Sequence, residues 1–183
     1  MMTSPIFISH VTHLTDARYW AAMAADWISL QLTEDDKSFQ RWHTFHEWIS
    51  GVMLAAEPDD ADESLIARCI IEAKPDGLVC DNLEFLHLTG GMTLFVRTEK
   101  PLADSYDLIT QIIPFTSLTD HGRAILQIPS SGVFIEHDWD IHSIRKVKEM
   151  GYKGGFGFRG TPEKETGQKD FTLYDEMVEE IRT

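Results

Sequence analysis

Residues 6–30 read IFISHVTHLTDARYWAAMAADWISL. The stretch opens on an apolar run of strand length, Ile6-Phe7-Ile8 up to Val11. Thr12 or Thr15 can cap a helix after it, and Ala17, Trp20, Ala21 and Ala24 fall at helical spacing. A second apolar run, Trp27-Ile28-Ser29-Leu30, follows. One strand, one helix and the next strand thus fit into 25 residues, and the chain repeats that unit.

A helix from about Asp36 to Trp48, rich in aromatics, comes next. Ile49 to Leu54 reads as the third strand, and Asp60 with Glu63 forms a capping box for a helix to about Ala73. Pro75-Asp76-Gly77 is a turn before the fourth strand, Leu78-Val79-Cys80. Leu83 to Leu88 is a short helix stopped by Gly90-Gly91. The fifth strand is Thr93 to Val96, with room for a truncated helix over Pro101 to Ser105. Tyr106 to Ile113 is the sixth strand, ended by Pro114. A helix over about Thr116 to Ile128 follows, although Ala124 to Ile128 reads equally as a strand. Val133-Phe134-Ile135 is the seventh strand, and Ile141, Ile144, Val147 and Lys148 lie on a helix ending at Gly151. Gly155 to Phe158 is the eighth strand, and Leu173 to Ile181 the last helix.

Strands alternating with helices imply parallel pairing, because a parallel crossover needs a helix-sized connection. Eight such units, with no block of one type, predict an α/β fold: a single TIM (β/α)8 barrel over residues 1–183. Such barrels run to about 250 residues, so this one must be compact, with short loops. The balance of 43% hydrophobic and 25% charged residues is that of a globular domain.

The formal net charge of −14 works against nucleic acid and anionic lipid, which are bound through Lys and Arg. No run of basic residues offsets it, so neither nucleic acid nor membrane is expected as a partner. No apolar run approaches the ~20 residues that span a bilayer, and Met1 to His10 lacks the basic start of a secretory signal. Cys69 and Cys80 have no CxxC spacing and read as buried free thiols of a cytoplasmic protein.

Three segments resemble phosphoribosylanthranilate isomerase, an enzyme of tryptophan biosynthesis. Ile8-Ser9-His10-Val11-Thr12, Asp16-Ala17 and Ala24-Ala25-Asp26 are similar to the family's opening Lys-Ile-Cys-Gly-Ile-Thr, Asp-Ala and Ala-Gly-Ala-Asp. Ile49 to Leu54, Pro58 and Asp76-Gly77-Leu78 are similar to its third and fourth strands. Glu163, Gly167, Lys169 and Asp170 resemble its Ser-Ser-Gly-Val-Glu and Pro-Gly-x-Lys-Asp ending.

The resemblance implies the family barrel, but not its chemistry. The family's general base is a Cys ending strand one, and its general acid an Asp ending strand six. Together they drive an Amadori rearrangement, an aldose-to-ketose isomerisation. Here the Cys position holds Ser9, a weak base without an activating partner. Strand six offers Thr110-Gln111-Ile112-Ile113, with no carboxylate. The family's Gly-Gly phosphate turn after strand seven becomes His137-Asp138, and its Ser-Ser-Gly turn after strand eight becomes Arg159-Gly160-Thr161. The Ser-Pro-Arg after strand two becomes the acidic stretch Thr33 to Ser38, and the Gln and His after strand four become Val79 and Asp81.

Active sites of such barrels lie at the C-terminal ends of the strands. Ser9, His10, His13, Asp81, Arg97, Glu136, His137, Asp138 and Arg159 fall there. Ser9, His10, Asp81 and His137 are the candidate catalytic residues, since His suits proton transfer near neutrality. Arg97, Asp138, Arg159 and Gly160 are the candidate contacts for a small anionic or phosphorylated ligand. The leading reading is therefore a diverged barrel that has lost the isomerisation and binds such a ligand. The alternatives are an active isomerase on a related phosphosugar, and a non-enzymatic homodimer built on the aromatic-rich second helix. A metal at His10, His137 and Asp81 or Asp138 lacks HxH or HExxH spacing, and a solvated rim without chemistry also fits. No cofactor is expected. Gly155-Phe156-Gly157-Phe158-Arg159-Gly160 matches GxGxxG but opens no helix, and is read as glycines packing a tight strand. Trp20, Trp27, Trp42 and Trp48 are read as packing between helices and strands.

Overall fold

In the computed structural model, which describes residues 4–60, 62–102, 109–129, 132–160 and 171–183, eight parallel strands close on themselves in the order β1 to β8. They are β1 (Ile6–Val11), β2 (Trp27–Leu32), β3 (Met53–Pro58), β4 (Gly77–Cys80), β5 (Thr93–Arg97), β6 (Ile109–Pro114), β7 (Val133–Glu136) and β8 (Gly155–Arg159). Closure runs through β1 and β8, with Ile6 opposite Phe156 and Ser9 opposite Arg159. The connecting helices are α1 (Leu14–Ala22), α2 (Asp36–Trp48), α3 (Glu63–Arg68, continued by a π turn over Cys69–Ala73), α4 (Ser117–Ile125), α5 (Ile141–Glu149) and α6 (Thr172–Arg182); a 3-10 turn over Glu84–Leu88 follows β4. The protein is a compact TIM (β/α)8 barrel, as its alternating pattern predicts.

Two apolar regions hold it. Phe7, Trp27, Ala55, Val79, Phe95, Ile112 and Phe134 fill the barrel interior. Phe7 sits 4.9 Å from Phe95 and 5.5 Å from Phe134, ring centre to ring centre. Gly155 makes that packing fit, because a Cβ there would lie 2.2 Å from Phe134 Cδ1. Each such buried ring contributes roughly 1.5–3 kcal/mol. The second region lies between strands and helices. There α2 buries Phe39, Trp42 and Phe45, and the Trp42 indole donates to the Ala73 carbonyl at 2.9 Å. The face on which a dimer reading rested is thus turned into the protein's own core.

Several boundaries differ from the sequence expectations. The third strand starts at Met53, not Ile49: Ile49 is the C-cap of α2, and residues 50–52 make the turn. The cap of α3 is Asp62, whose carboxylate accepts from Leu65 N, rather than Asp60. Neither Thr12 nor Thr15 caps α1; His13 stands at that position without a side-chain cap bond. Ala124 and Ile125 end α4, which kinks at His121, so that stretch is not a strand. Trp20, Trp27 and Trp42 are buried as read, but Trp48 is 60% exposed, with the Arg18 guanidinium over its ring. The start of the sixth strand at Tyr106, part of the expected helix over Pro101 to Ser105, and the ending Glu163 to Asp170 lie outside the described residues. Among the described residues no helix is long and apolar enough to cross a membrane.

Candidate active site at the barrel mouth

Side chains two apart on a strand share a face, so the interior residues can be stacked in layers. Phe7, Ala55, Phe95 and Phe134 come from β1, β3, β5 and β7 and form one apolar layer. Two residues further along the same strands stand Ser9, Glu57, Arg97 and Glu136. This upper layer is polar and forms the floor of the mouth.

Its members are joined by ion pairs. Arg97 donates through Nη2 to Glu57 Oε1 at 2.7 Å and through Nη1 to Glu136 Oε2 at 2.5 Å. Arg159 donates through Nε to Glu136 Oε1 at 2.5 Å. Ser29 Oγ donates to Glu57 Oε2 at 2.6 Å, and Ser9 Oγ to Glu136 Oε2 at 3.3 Å and to the Phe158 carbonyl at 3.2 Å. Both carboxylates are buried. Burial alone would push the Glu136 carboxyl up, but Arg97 and Arg159 outweigh it and hold it below the ordinary carboxylate range. For Arg97, burial works against the charge, and Glu57 and Glu136 together more than restore it.

His10 stands at the rim of this layer. Its Nε2 lies 3.3 Å from Glu57 Oε1 and its backbone N–H donates to Glu57 Oε2 at 3.3 Å. Its backbone is left-handed, with φ 55°, where the β1–β2 register breaks. Gly160 packs against it: a Cβ on Gly160 would lie 2.7 Å from the His10 carbonyl oxygen.

Two connected cavities open above the floor. The larger, about 590 Å³, is lined by Asp81, Arg97, Thr98, Glu99, Ile112, Pro114, Glu136, His137, Asp138 and Arg159. The smaller, about 240 Å³, touches His10, Glu57, Asp59 and Asp60 and shares Asp81, Arg97 and Arg159 with it. The His137 ring stacks on Phe115 at 4.3 Å and meets Trp139 edge-on at 5.2 Å.

Most of the site residues read from the sequence therefore converge: His10, Asp81, Arg97, His137, Asp138 and Arg159 all line this mouth. Two do not serve as expected. Ser9 is fully buried and bonded within the protein, so it is closed to a ligand. Gly160 donates its N–H to the Ser9 carbonyl at 2.6 Å, so that amide is not a phosphate donor. His13 is exposed at the start of α1, away from the cavity linings. Glu57 and Ser29 were missed. The misplaced third strand left Glu57 in a loop; with β3 starting at Met53, alternation from Ala55 turns it inward.

Among the described residues no three His, Cys, Asp or Glu side chains gather as a metal site, which removes the His10–His137–aspartate alternative. Cys69 and Cys80 are buried and unpaired. Burial pushes their thiols up to about 12 and about 11, so neither is a ready nucleophile. The GxGxxG stretch is strand β8 up to Arg159 with no helix opening from it, as its reading as a packed strand requires.

No protein-family model matches the chain, and no curated protein matches it in sequence. Its backbone is nevertheless similar to solved barrels over nearly their whole length. Phosphoribosylanthranilate isomerase from Thermococcus kodakaraensis superposes with TM-score 0.74 at 10% identity, covering 98% of this chain and 99% of that one. The isomerase from Pyrococcus furiosus gives 0.73 at 13% identity, covering 97% and 98%. Thiamine phosphate pyrophosphorylase from Pyrococcus furiosus gives 0.68 at 10%, covering 97% and 96%. Enzymes of different names share this backbone, so it identifies an architecture and not a reaction. The resemblance read from three short segments thus extends to the whole chain: it has the barrel fold of the phosphoribosylanthranilate isomerases.

Proposed function

We propose that this chain is a phosphoribosylanthranilate isomerase-like barrel that has lost the family's Amadori isomerisation and binds a small polar molecule at its C-terminal mouth. One observation carries the reading. The layer that ends β1, β3, β5 and β7 is a closed set of ion pairs and hydrogen bonds around Arg97, with Ser9 locked beneath the mouth. Proton abstraction needs a base within hydrogen-bond reach of its substrate. Ser9 has no such reach, and Ile112 on β6 offers no acid.

Support for an anionic ligand weakens at the same place. Arg159 is bound to Glu136, the Gly160 amide is committed to Ser9, and the walls carry more carboxylates than arginines. His10, held against Glu57, is the group best placed to exchange a proton with whatever occupies the smaller cavity.

The test is complementation of a bacterial strain lacking the isomerase, paired with turnover of phosphoribosylanthranilate by purified protein. Neither growth nor turnover is expected. Growth that disappears with Ser9→Ala would overturn the reading and restore an active isomerase.

A further inference from the structure

We infer that the mouth takes a small organic cation, an amine on a short flat apolar body, rather than a phosphate or carboxylate. This rests on the reading of the mouth as a ligand site and names the ligand's chemistry.

The larger cavity, about 590 Å³, is of the size that holds a small molecule. Its floor is internally neutralised. Arg97 lies between Glu57 and Glu136, and Arg159 is paired with Glu136. An anion reaching either guanidinium must compete with a buried carboxylate already in place. The walls then decide the sign. Among the described residues they add Asp81 after β4, Glu99 after β5 and Asp138 after β7. A concave site lined by one sign of charge focuses its field and concentrates ligands of the other sign.

The remaining wall decides the shape. Ile112 and Pro114 are apolar, and the His137 ring lies beside them, stacked on Phe115 with an interplanar angle of 13°. A flat hydrocarbon body fits against that wall while its ammonium group faces the aspartates. Such a charge-assisted contact is among the stronger polar interactions available.

A matched trio with one ring and three charges tests this: benzylamine, benzyl alcohol and benzoate, titrated into the full chain by calorimetry at neutral pH and low salt. Benzylamine is expected to bind saturably at up to millimolar concentration, more weakly as salt is added. Benzyl alcohol should bind at least about tenfold more weakly, and benzoate not at all. Asp81→Asn with Asp138→Asn should lower benzylamine affinity by about tenfold or more, at an unchanged melting temperature, since both positions are exposed. Benzyl alcohol binding as tightly as benzylamine overturns the inference, as does unchanged affinity in the double variant. Benzoate binding that is lost in Arg159→Gln overturns the cation and leaves the mouth reading standing. If none of the three binds, both fall.

Discussion

Arg97 is the residue on which the mouth depends. Its two terminal nitrogens each hold a buried carboxylate, and the fork of a guanidinium is the group that can reach both at once. Arg97→Met leaves Glu57 without its guanidinium and Glu136 with one of two. Breaking a buried pair in this way costs about 3–5 kcal/mol, readable as a lower urea midpoint at pH 7. The pH dependence carries a sign. Glu136 titrates below its ordinary value in the folded protein, so it contributes stability above the ordinary carboxylate range, and that contribution is lost as pH falls through the lower folded value. Glu136→Gln should flatten this acid-side loss. In Arg97→Met the folded carboxylates are pushed up instead, so the variant should regain stability relative to wild type between pH 7 and pH 5. Urea midpoints at both pH values check the two slopes.

Elements are where sequence reading succeeded and failed most visibly. The run Ile6 to Val11 and the helix after it were legible because apolar spacing changes from strand to helix within a few residues. Asp140, not singled out in the sequence, caps α5 in a capping box with Ser143. Asp140→Ala should lower stability by about 1 kcal/mol, measured as the shift in thermal midpoint. The third strand was misplaced because Ile49 is apolar for a different reason: it packs the end of α2 against the core. A four-residue shift keeps the two-residue alternation intact and so leaves no warning in the pattern, yet it hid Glu57, half of the ionic floor. The bonds of that floor were illegible for a further reason. Ser9, Glu57, Arg97 and Glu136 lie up to 127 residues apart, and only barrel closure brings them together. Close approach is equally invisible in sequence. Gly155→Ala puts a methyl group into the Phe134 ring and should destabilise by about 1–3 kcal/mol, again as a lower urea midpoint.

As a whole molecule the barrel has no spare strand. β8 pairs with both β7 and β1, so a chain cut after Glu149 exposes two strand edges and loses Arg159 together with the α5–α6 contact through Arg145 and Glu180. Such edges invite association rather than folding. The truncated chain should lack a cooperative urea transition by circular dichroism, where the intact chain shows one.

The ionic floor also bears on history. Reinstating the family's base is a single substitution on paper, Ser9→Cys. In this barrel the new sulfur would sit fully enclosed, beside Glu136 and the Phe158 carbonyl, where burial and a neighbouring negative charge both oppose a thiolate. The old chemistry would return only if Glu57, Arg97 and Glu136 were dismantled along with it. Each intermediate on that path carries an unmatched buried charge. The layer therefore works as a ratchet: once it was assembled, reversion to the ancestral reaction was blocked by the protein's own stability.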